Sequence, residues 1–574
     1  MSYFDDASLV MIPSGYKDQK VYSVKPLDGS GDLTFSRASS ATRVASNGLI
    51  EKVRTNLALY SQDFSDATWY KELGNSATAN TIANPLDGVV NADTITATAT
   101  NAINVNQLFT AAATSEYTYS IYLKKNNHDF IQPYIFSGGG FAARIEINLT
   151  DGTFTTINGS GATVTSVGNG WYRATLIASL SSSATFTTGV LTLSTTGSRS
   201  VYVFGAQLET GVATAYIATT SAAVSVGPVS GLPRLDYLNS TCPRLLLEPQ
   251  RTNSQIKSEN FASWLGIDNV TISSNTTDTL DPSGYNGSDK ITLLGGAPMR
   301  VYEFTGSSAG TGTISLFVKA GTTPTIALFT SSSSLLVNFN LSTQVVTPTT
   351  GTGTITSYGN GWYRITATAT LGSNEVLQIL FVGSAGQTMY IWGAQVEAGA
   401  YATSYIPTLG TSVTRVADAA LTGSVPSLIG QTAGTIFWQG SVDYRQSGDG
   451  HALALSGSAS SFGDAMLLYR QSSNGHLAIY IQIGGVNQFG TPLTYNDTAS
   501  VSENDKYAIA YANNDLVVYK NGVQIISASS GSIPACNYFL LNEWNNTYVN
   551  TNITKQAILF PTRLSNSDLA ALTA

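Results

Sequence analysis

Short runs in which apolar and polar residues alternate recur along the whole chain. Tyr117 to Leu123 (YTYSIYL), Arg144 to Leu149 (RIEINL), Ile314 to Val318 (ISLFV), Leu336 to Leu341 (LVNFNL) and Leu516 to Tyr519 (LVVY) are the clearest. Each is rich in β-branched or aromatic residues and bounded by Gly, Asn, Asp or Ser, the signature of strands with one face buried. No run of comparable length shows helical spacing. The best helix candidate is Ser565 to Leu572, where Ser565 can cap and Leu569 and Leu572 can face inward. Asn521-Gly522, set between LVVY and Val523 to Ile526 (VQII), predicts a type I′ hairpin, because both residues tolerate positive φ.

The pattern is also duplicated. Arg54-Thr55-Asn56 returns as Arg251-Thr252-Asn253, Gly168 to Arg173 (GNGWYR) as Gly359 to Arg364, and Gly205 to Glu209 (GAQLE) as Gly393 to Glu397 (GAQVE), each about 190 residues further on. Phe64 and Trp69 match Phe261 and Trp264, and the Ala-Thr-x-Tyr-Ile run ending at Ile217 matches the one ending at Ile406. A repeat of this length suits an independent β-sandwich rather than a solenoid unit. After the second copy a new set of strands begins, among them Thr435 to Val442 (TIFWQGSV) and Leu477 to Ile483, which predicts a third domain of another type.

Composition narrows what such domains can do. The 574 residues exceed one core, so several domains are expected. Charged residues make up 11%, about half the usual share, so Thr, Ser, Asn and Gly must solvate the surface. With 43% hydrophobic and 10% aromatic residues the chain can still fold along most of its length. Net charge is -8 and the 28 basic residues are scattered, which argues against nucleic acid. Cys242 and Cys536 are far apart and build neither a zinc knuckle nor a disulfide framework, which leaves at most a single bridge between the two. The start, MSYFDDASLV, has no signal-peptide pattern and no run approaches the ~20 apolar residues of a membrane span. Synthesis in a cytoplasm without membrane insertion is expected.

Candidate chemistry is sparse. The tryptophans of the repeat, Trp69 with Trp264 and Trp171 with Trp362, are read as core, although an exposed Trp-Tyr pair could stack on a sugar. Glu209 and Glu397 are read as turn residues, since glycosidase chemistry needs two placed carboxyl groups and neither has a matching second acid. Glu503-Asn504-Asp505 lacks a third acid, and His128, His451 and His476 are too dispersed for zinc or a catalytic triad. No metal or cofactor is expected. Calcium is left open only through Asp464, Asp497 and Asp515, and isolated aspartates more often cap turns. The one distinctive element is Leu541 to Tyr548 (LNEWNNTY), an aromatic pair set among amides. Asn542, Trp544, Asn545 and Tyr548 are therefore the candidate glycan-binding residues; the competing reading is a loop whose Trp544 covers an apolar edge.

Several longer strings resemble a widespread family of tailed-bacteriophage structural proteins. They are Leu33 to Val44 (LTFSRASSATRV) with Asn47 to Glu51 (NGLIE), Leu232 to Tyr237 (LPRLDY), Cys242 to Asn253 (CPRLLLEPQRTN), and Trp392 to Glu397 followed by Tyr405-Ile406-Pro407. The family includes virion appendage proteins of the crAss-like gut-phage type, head or tail fibres with carbohydrate-binding-module-like sandwiches. The last quarter resembles the concanavalin/LamG-type lectin sandwich that such proteins carry. In simpler members NGLIE runs almost directly into PRLDY, so the first module looks inserted into, or duplicated within, a shared connector.

The resulting expectation is an all-β chain of tandem antiparallel, jelly-roll-like sandwiches followed by a concanavalin-like lectin sandwich. Residues 1–54 form an extended N-terminal anchoring arm, 55–225 the first module, 226–250 a connector, 251–417 the second module and 418–574 the lectin-like domain. The resemblance implies a non-enzymatic virion protein, assembled in the bacterial host cytoplasm and held to other virion proteins through the arm. It further implies a homo-oligomer, with a trimer as the expected form, that adheres to host cell-surface polysaccharide. Purely structural decoration and polysaccharide depolymerisation are the alternatives.

Overall fold

The computed structural model describes residues 3–98, 100–112, 115–193, 196–331, 335–442, 449–490, 492–496, 502–541 and 551–574. The protein is nearly all β, and every strand pairing among the described residues is antiparallel. The C-terminal helix is Asn566–Thr573. Ser565 caps it with a reciprocal Asp568 bond, and Leu569 is buried beneath it, as the sequence predicts. Asn521 and Gly522, both at positive φ, close the hairpin between Asp515–Lys520 and Val523–Ala528.

The two repeated modules have the same topology strand for strand. One sheet of the first runs in the order Ser160–Gly168, Trp171–Leu180, Ser115–Lys125, Arg199–Thr210, Val90–Ala97, Asn75–Ala83. Its counterpart runs Thr352–Ser357, Trp362–Leu371, Gly310–Ala320, Thr388–Ala398, Asp289–Leu293, Val270–Ser273. The facing sheet is Phe154–Asn158, Gly140–Asn148, Phe130–Ser137, Thr185–Leu191, Asn104–Thr110, Tyr70–Lys71 in the first module. In the second it is Val345–Thr350, Leu336–Asn340, Thr325–Thr330, Val376–Val382, Arg300–Phe304, Gly266–Asp268. Alternate residues from both sheets fill each interior, for example Ile131, Ile135, Ile145 and Ile147 opposite Ala174, Leu176 and Leu180 in the first.

The third sandwich is discontinuous in sequence. One sheet is built on Ala433–Val442, Asn552–Phe560, Lys506–Ala512, Asp515–Lys520 and Val523–Ala528, and it also takes in Leu235–Asp236 and Arg244–Leu247 from the connector. Leu9–Met11 adds to the same sheet along Asn552–Phe560, in the register Leu9 to Leu559. The facing sheet contains Ala419–Thr422, Tyr538–Leu540, Gly450–Ser458, Ser461–Arg470 and Leu477–Ile483. It is extended by Tyr16–Lys17, Lys20–Val21 and Leu33–Ser36.

The segment expected as an extended anchoring arm is thus folded into the sheets of this chain itself. The physical reason is burial: Leu9, Met11, Leu33 and Phe35 belong to the same core as Trp438, Leu455 and Leu559, at roughly 1.5–3 kcal/mol for each large side chain buried. We call this third unit the base sandwich.

Both modules are insertions into the base. The first leaves and returns through a two-stranded ladder, Arg54–Asn56 against Val224–Val226, and the second through Arg251–Asn253 against Val413–Arg415. The second module thus leaves and rejoins the base in the same way as the first.

Candidate functional site

The repeated motifs build the entry and exit of each module. Asn56 lies buried in the entry strand and donates from Nδ2 to the Ala206 (3.0 Å) and Ile217 (2.7 Å) carbonyls. Its Oδ1 accepts from the Ala58 (3.0 Å) and Leu208 (3.1 Å) amides. Asn253 repeats all four bonds with Ala394, Ile406, Gln255 and Val396.

Gln207 and Gln395 accept from the Ile217 and Ile406 amides, while Glu209 and Glu397 accept the amides and hydroxyls of Thr214 and Thr403. A bulge at Gly205 and Gly393, both at positive φ, makes room for Tyr216 and Tyr405; a Cβ on either glycine would meet aromatic carbons at 2.9–3.3 Å. Glu209 and Glu397 are thereby fully engaged in a turn.

The tryptophans divide into two kinds. Trp69 and Trp264 lie in the cores between the sheets. Trp171 and Trp362, each 1% exposed, are buried on the outer face of their sheet: even-numbered residues of Trp171–Leu180 fill the interior, and Trp171 joins Tyr122 and Phe204 on the other side. In the second module Val44 and Ile50, from the hairpin that follows the N-terminal segment, complete the cover over Trp362 and Trp392. Asn169 and Asn360, at φ 52° and 51°, turn the chain immediately before them, which is what the Gly-Asn-Gly sequence provides.

Where the two ladders meet the base, a buried ionic cluster gathers residues from the strings that carry the phage resemblance. Asp418 pairs with Arg37 at 3.0 Å and with Arg234 through its other oxygen; all three side chains are 0% exposed. Glu248 pairs with Arg234 at 2.6 Å and Arg415 at 2.8 Å, and accepts from the Ser404 amide and hydroxyl at 2.7 and 2.6 Å. Arg37 also donates to the Pro228, Val229 and Leu232 carbonyls, and Arg415 to that of Pro249.

Burial pulls the Arg37 guanidinium down to about 10 in spite of Asp418. Burial pushes the Glu248 carboxyl up, but Arg415 and Arg234 outweigh it and hold the group well below the usual carboxylate range. One cluster therefore ties together the N-terminal segment, the connector and the exit of the second module.

A cavity of about 440 Å³ lies beside this cluster, lined by Arg43, Asp236, Arg244, Tyr358, Arg364 and Glu503 among others. Its charged groups are held in ion pairs or hydrogen bonds. Arg43 holds Glu51, Arg244 bridges Asp236 and Glu503, and Arg364 bonds the Thr403 carbonyl and the Ser315 hydroxyl. Such a wall suits a joint between domains better than a ligand pocket.

The predicted glycan residues Asn542, Trp544, Asn545 and Tyr548 lie outside the described residues. The chain on either side is fixed: Asn552 donates to the Leu541 and Ala452 carbonyls at 2.6 Å, and Thr551 lines the cavity.

Of the aspartates weighed for calcium, Asp464 accepts from the Gly484 amide, Asp515 pairs with Arg563, and Asp497 lies outside the described residues. No cluster of three or more potential metal ligands occurs among the described residues. Cys242 and Cys536 are both free thiols.

No family model matches the chain, and no curated protein matches it. Solved structures resemble parts of it. The Ruminococcus gnavus IT-sialidase CBM40 is 17% identical over 25% of this chain and 84% of that structure, with a TM-score of 0.20. The CBM22-1–CBM22-2 tandem domain of Paenibacillus barcinonensis Xyn10C is 13% identical, covers 60% of this chain and 97% of its own length, and scores 0.21. Domains LG4-5 of the mouse laminin alpha1 chain are 10% identical over 45% and 86%, at 0.17.

Proposed function

We propose that the chain is a non-enzymatic structural component of a bacteriophage virion, one of the homo-oligomeric head or tail appendages that adhere to glycans on the host cell surface. The observation that carries the reading is the double insertion. A base sandwich, closed by its own N-terminal segment, presents two further sandwiches, each held at both ends by a ladder and a buried asparagine. Such an arrangement displays binding surfaces at fixed positions and needs no moving parts.

The strings that resemble phage proteins support the virion part of the reading, because Arg37, Arg234, Glu248 and Arg415 from those strings and their surroundings form the cluster that sets the display geometry. The test is binding of the labelled full-length chain to an array of bacterial surface polysaccharides. Saturable binding with no shortening of the polysaccharide is the expected result. Absence of binding removes the adhesive role, and shortened chains overturn the non-enzymatic assignment.

A further inference from the structure

The two modules share core, turns and exit, but their facing sheets differ in what they point outward. In the first module the outward residues of Phe130–Ser137 and Gly140–Asn148 include Gln132 and Glu146, joined by a hydrogen bond of 2.7 Å from Gln132 Nε2 to Glu146 Oε2. That bond fixes the amide, since only its NH2 end can donate to a carboxylate, so the carbonyl oxygen is the end left over. Gln132 Oε1 is buried and has no hydrogen-bond partner among the described residues, and Gln132 as a whole is 1% exposed. A buried acceptor without a partner costs on the order of 1–3 kcal/mol and calls for an explanation.

The fold does not require this pair. Gln132 stands opposite Leu191, the last residue of its neighbouring strand. In the second module Asn340 makes the turn that Asn148 makes in the first, so the residue matching Gln132 is Ala327, which stands opposite Leu380 and faces Asn338, the counterpart of Glu146. A sandwich of identical topology is thus built without a Gln–Glu pair at this place.

Gln132 and Glu146 border a cavity of about 250 Å³ together with His128, Phe130, Thr192 and Leu193. Buried Gln132 and Thr192 form its floor; Phe130, 46% exposed, and Leu193, 66% exposed, form its rim. The volume lies just under the ~300 Å³ at which drug-sized ligand sites begin, room for one ring of a chain rather than a whole oligosaccharide. An exposed phenyl face beside hydrogen-bond acceptors matches a pyranose, whose C–H face is apolar and whose rim is hydroxyl. The acceptors also select by charge. Glu146 disfavours a carboxylated sugar and welcomes hydroxyl donors, and burial together with nearby Arg199 lowers the pKa of His128, which favours its neutral form.

We infer that the outward sheet face of the first module is a glycan subsite for a neutral pyranose residue, with Gln132 Oε1 and Glu146 accepting from its hydroxyls and Phe130 stacking on its ring. The inference rests on the adhesive reading above and gives it a place and a ligand class.

The test is affinity electrophoresis of the full-length chain in gels cast with yeast mannan, dextran or galactan, with alginate as the acidic contrast. We expect retardation in at least one neutral gel and none in alginate. Phe130→Ala and Gln132→Leu should each weaken the association at least tenfold, and Thr325→Ala, at the place in the second module that matches Phe130, should leave it unchanged. Phe130 is exposed, so its variant keeps the test independent of folding.

Neutral-gel binding that survives Phe130→Ala overturns the subsite and leaves general adhesion standing. Retardation by alginate equal to that by a neutral gel overturns the ligand class. A wild-type chain that no neutral gel retards overturns the inference, and binding on the polysaccharide array then decides separately whether adhesion stands.

Discussion

Asp418→Ala is expected to destabilise the base sandwich by about 3–5 kcal/mol, the range for removing one partner from a buried ion pair. The carboxylate holds Arg37 and Arg234 and accepts from the Glu248 amide at 2.8 Å. Its removal leaves the fully buried Arg37 guanidinium without its counter-ion and Arg234 with Glu248 alone, and Arg37 is already pulled down by burial. Water cannot easily replace the carboxylate, because the side chains around it have no exposed surface.

In calorimetry the base transition should fall by on the order of 10 °C, while transitions of the inserted modules move little. Glu51→Ala provides the contrast. It removes a partly exposed partner of Arg43 and should cost below about 1 kcal/mol. Equal, small effects for the two variants would mean that the cluster does not hold the base together.

The second large effect is expected at the paired asparagines. Asn56→Ala removes four hydrogen bonds to buried backbone groups of the first module, and Asn253→Ala removes the equivalent four from the second. Leaving several buried amides and carbonyls without partners costs roughly 3 kcal/mol or more, even after some relaxation.

Because each asparagine bonds only within its own module, the loss should be local. Limited proteolysis of the Asn56 variant should cut between residues 57 and 223 and spare 254 to 412, with the reverse for the Asn253 variant. Simultaneous cleavage of both modules in either variant would show that the insertions do not behave as separate units.

Much of this architecture is legible in the sequence, for reasons that can be stated residue by residue. The duplication shows because the Asn, Gln, Glu and Thr of its motifs are committed to one hydrogen-bond set and cannot drift independently. The long strands of the modules show because one face of each meets a partner sheet, which enforces alternation over many residues.

The N-terminal segment does not show. Its strands, Leu9–Met11, Tyr16–Lys17, Lys20–Val21 and Leu33–Ser36, are too short for a period to be read, and the partner of Leu9 is Leu559 at the other end of the chain. The side of the sheet on which Trp171 and Trp362 lie is hidden for a different reason. Alternation separates two faces but cannot say which one meets the partner sheet when an exit segment covers the other.

Gln132 and Glu146 are silent as well, since alternate polar residues on a strand read as an ordinary solvated face. What marks them is the unpartnered oxygen, a property of three-dimensional packing alone.

The N-terminal segment and the connector are integral strands of the base from which both modules are displayed. Amide hydrogen exchange on the full-length chain tests this most directly. Residues 9–11, 33–36 and 244–247 should share the slow exchange of 435–442 and 552–560, and all five segments should lose protection together when Asp418 is replaced. Exchange of residues 9–36 at the rate of free peptide, with 435–442 and 552–560 still protected, would show that the N-terminal segment is not part of the base.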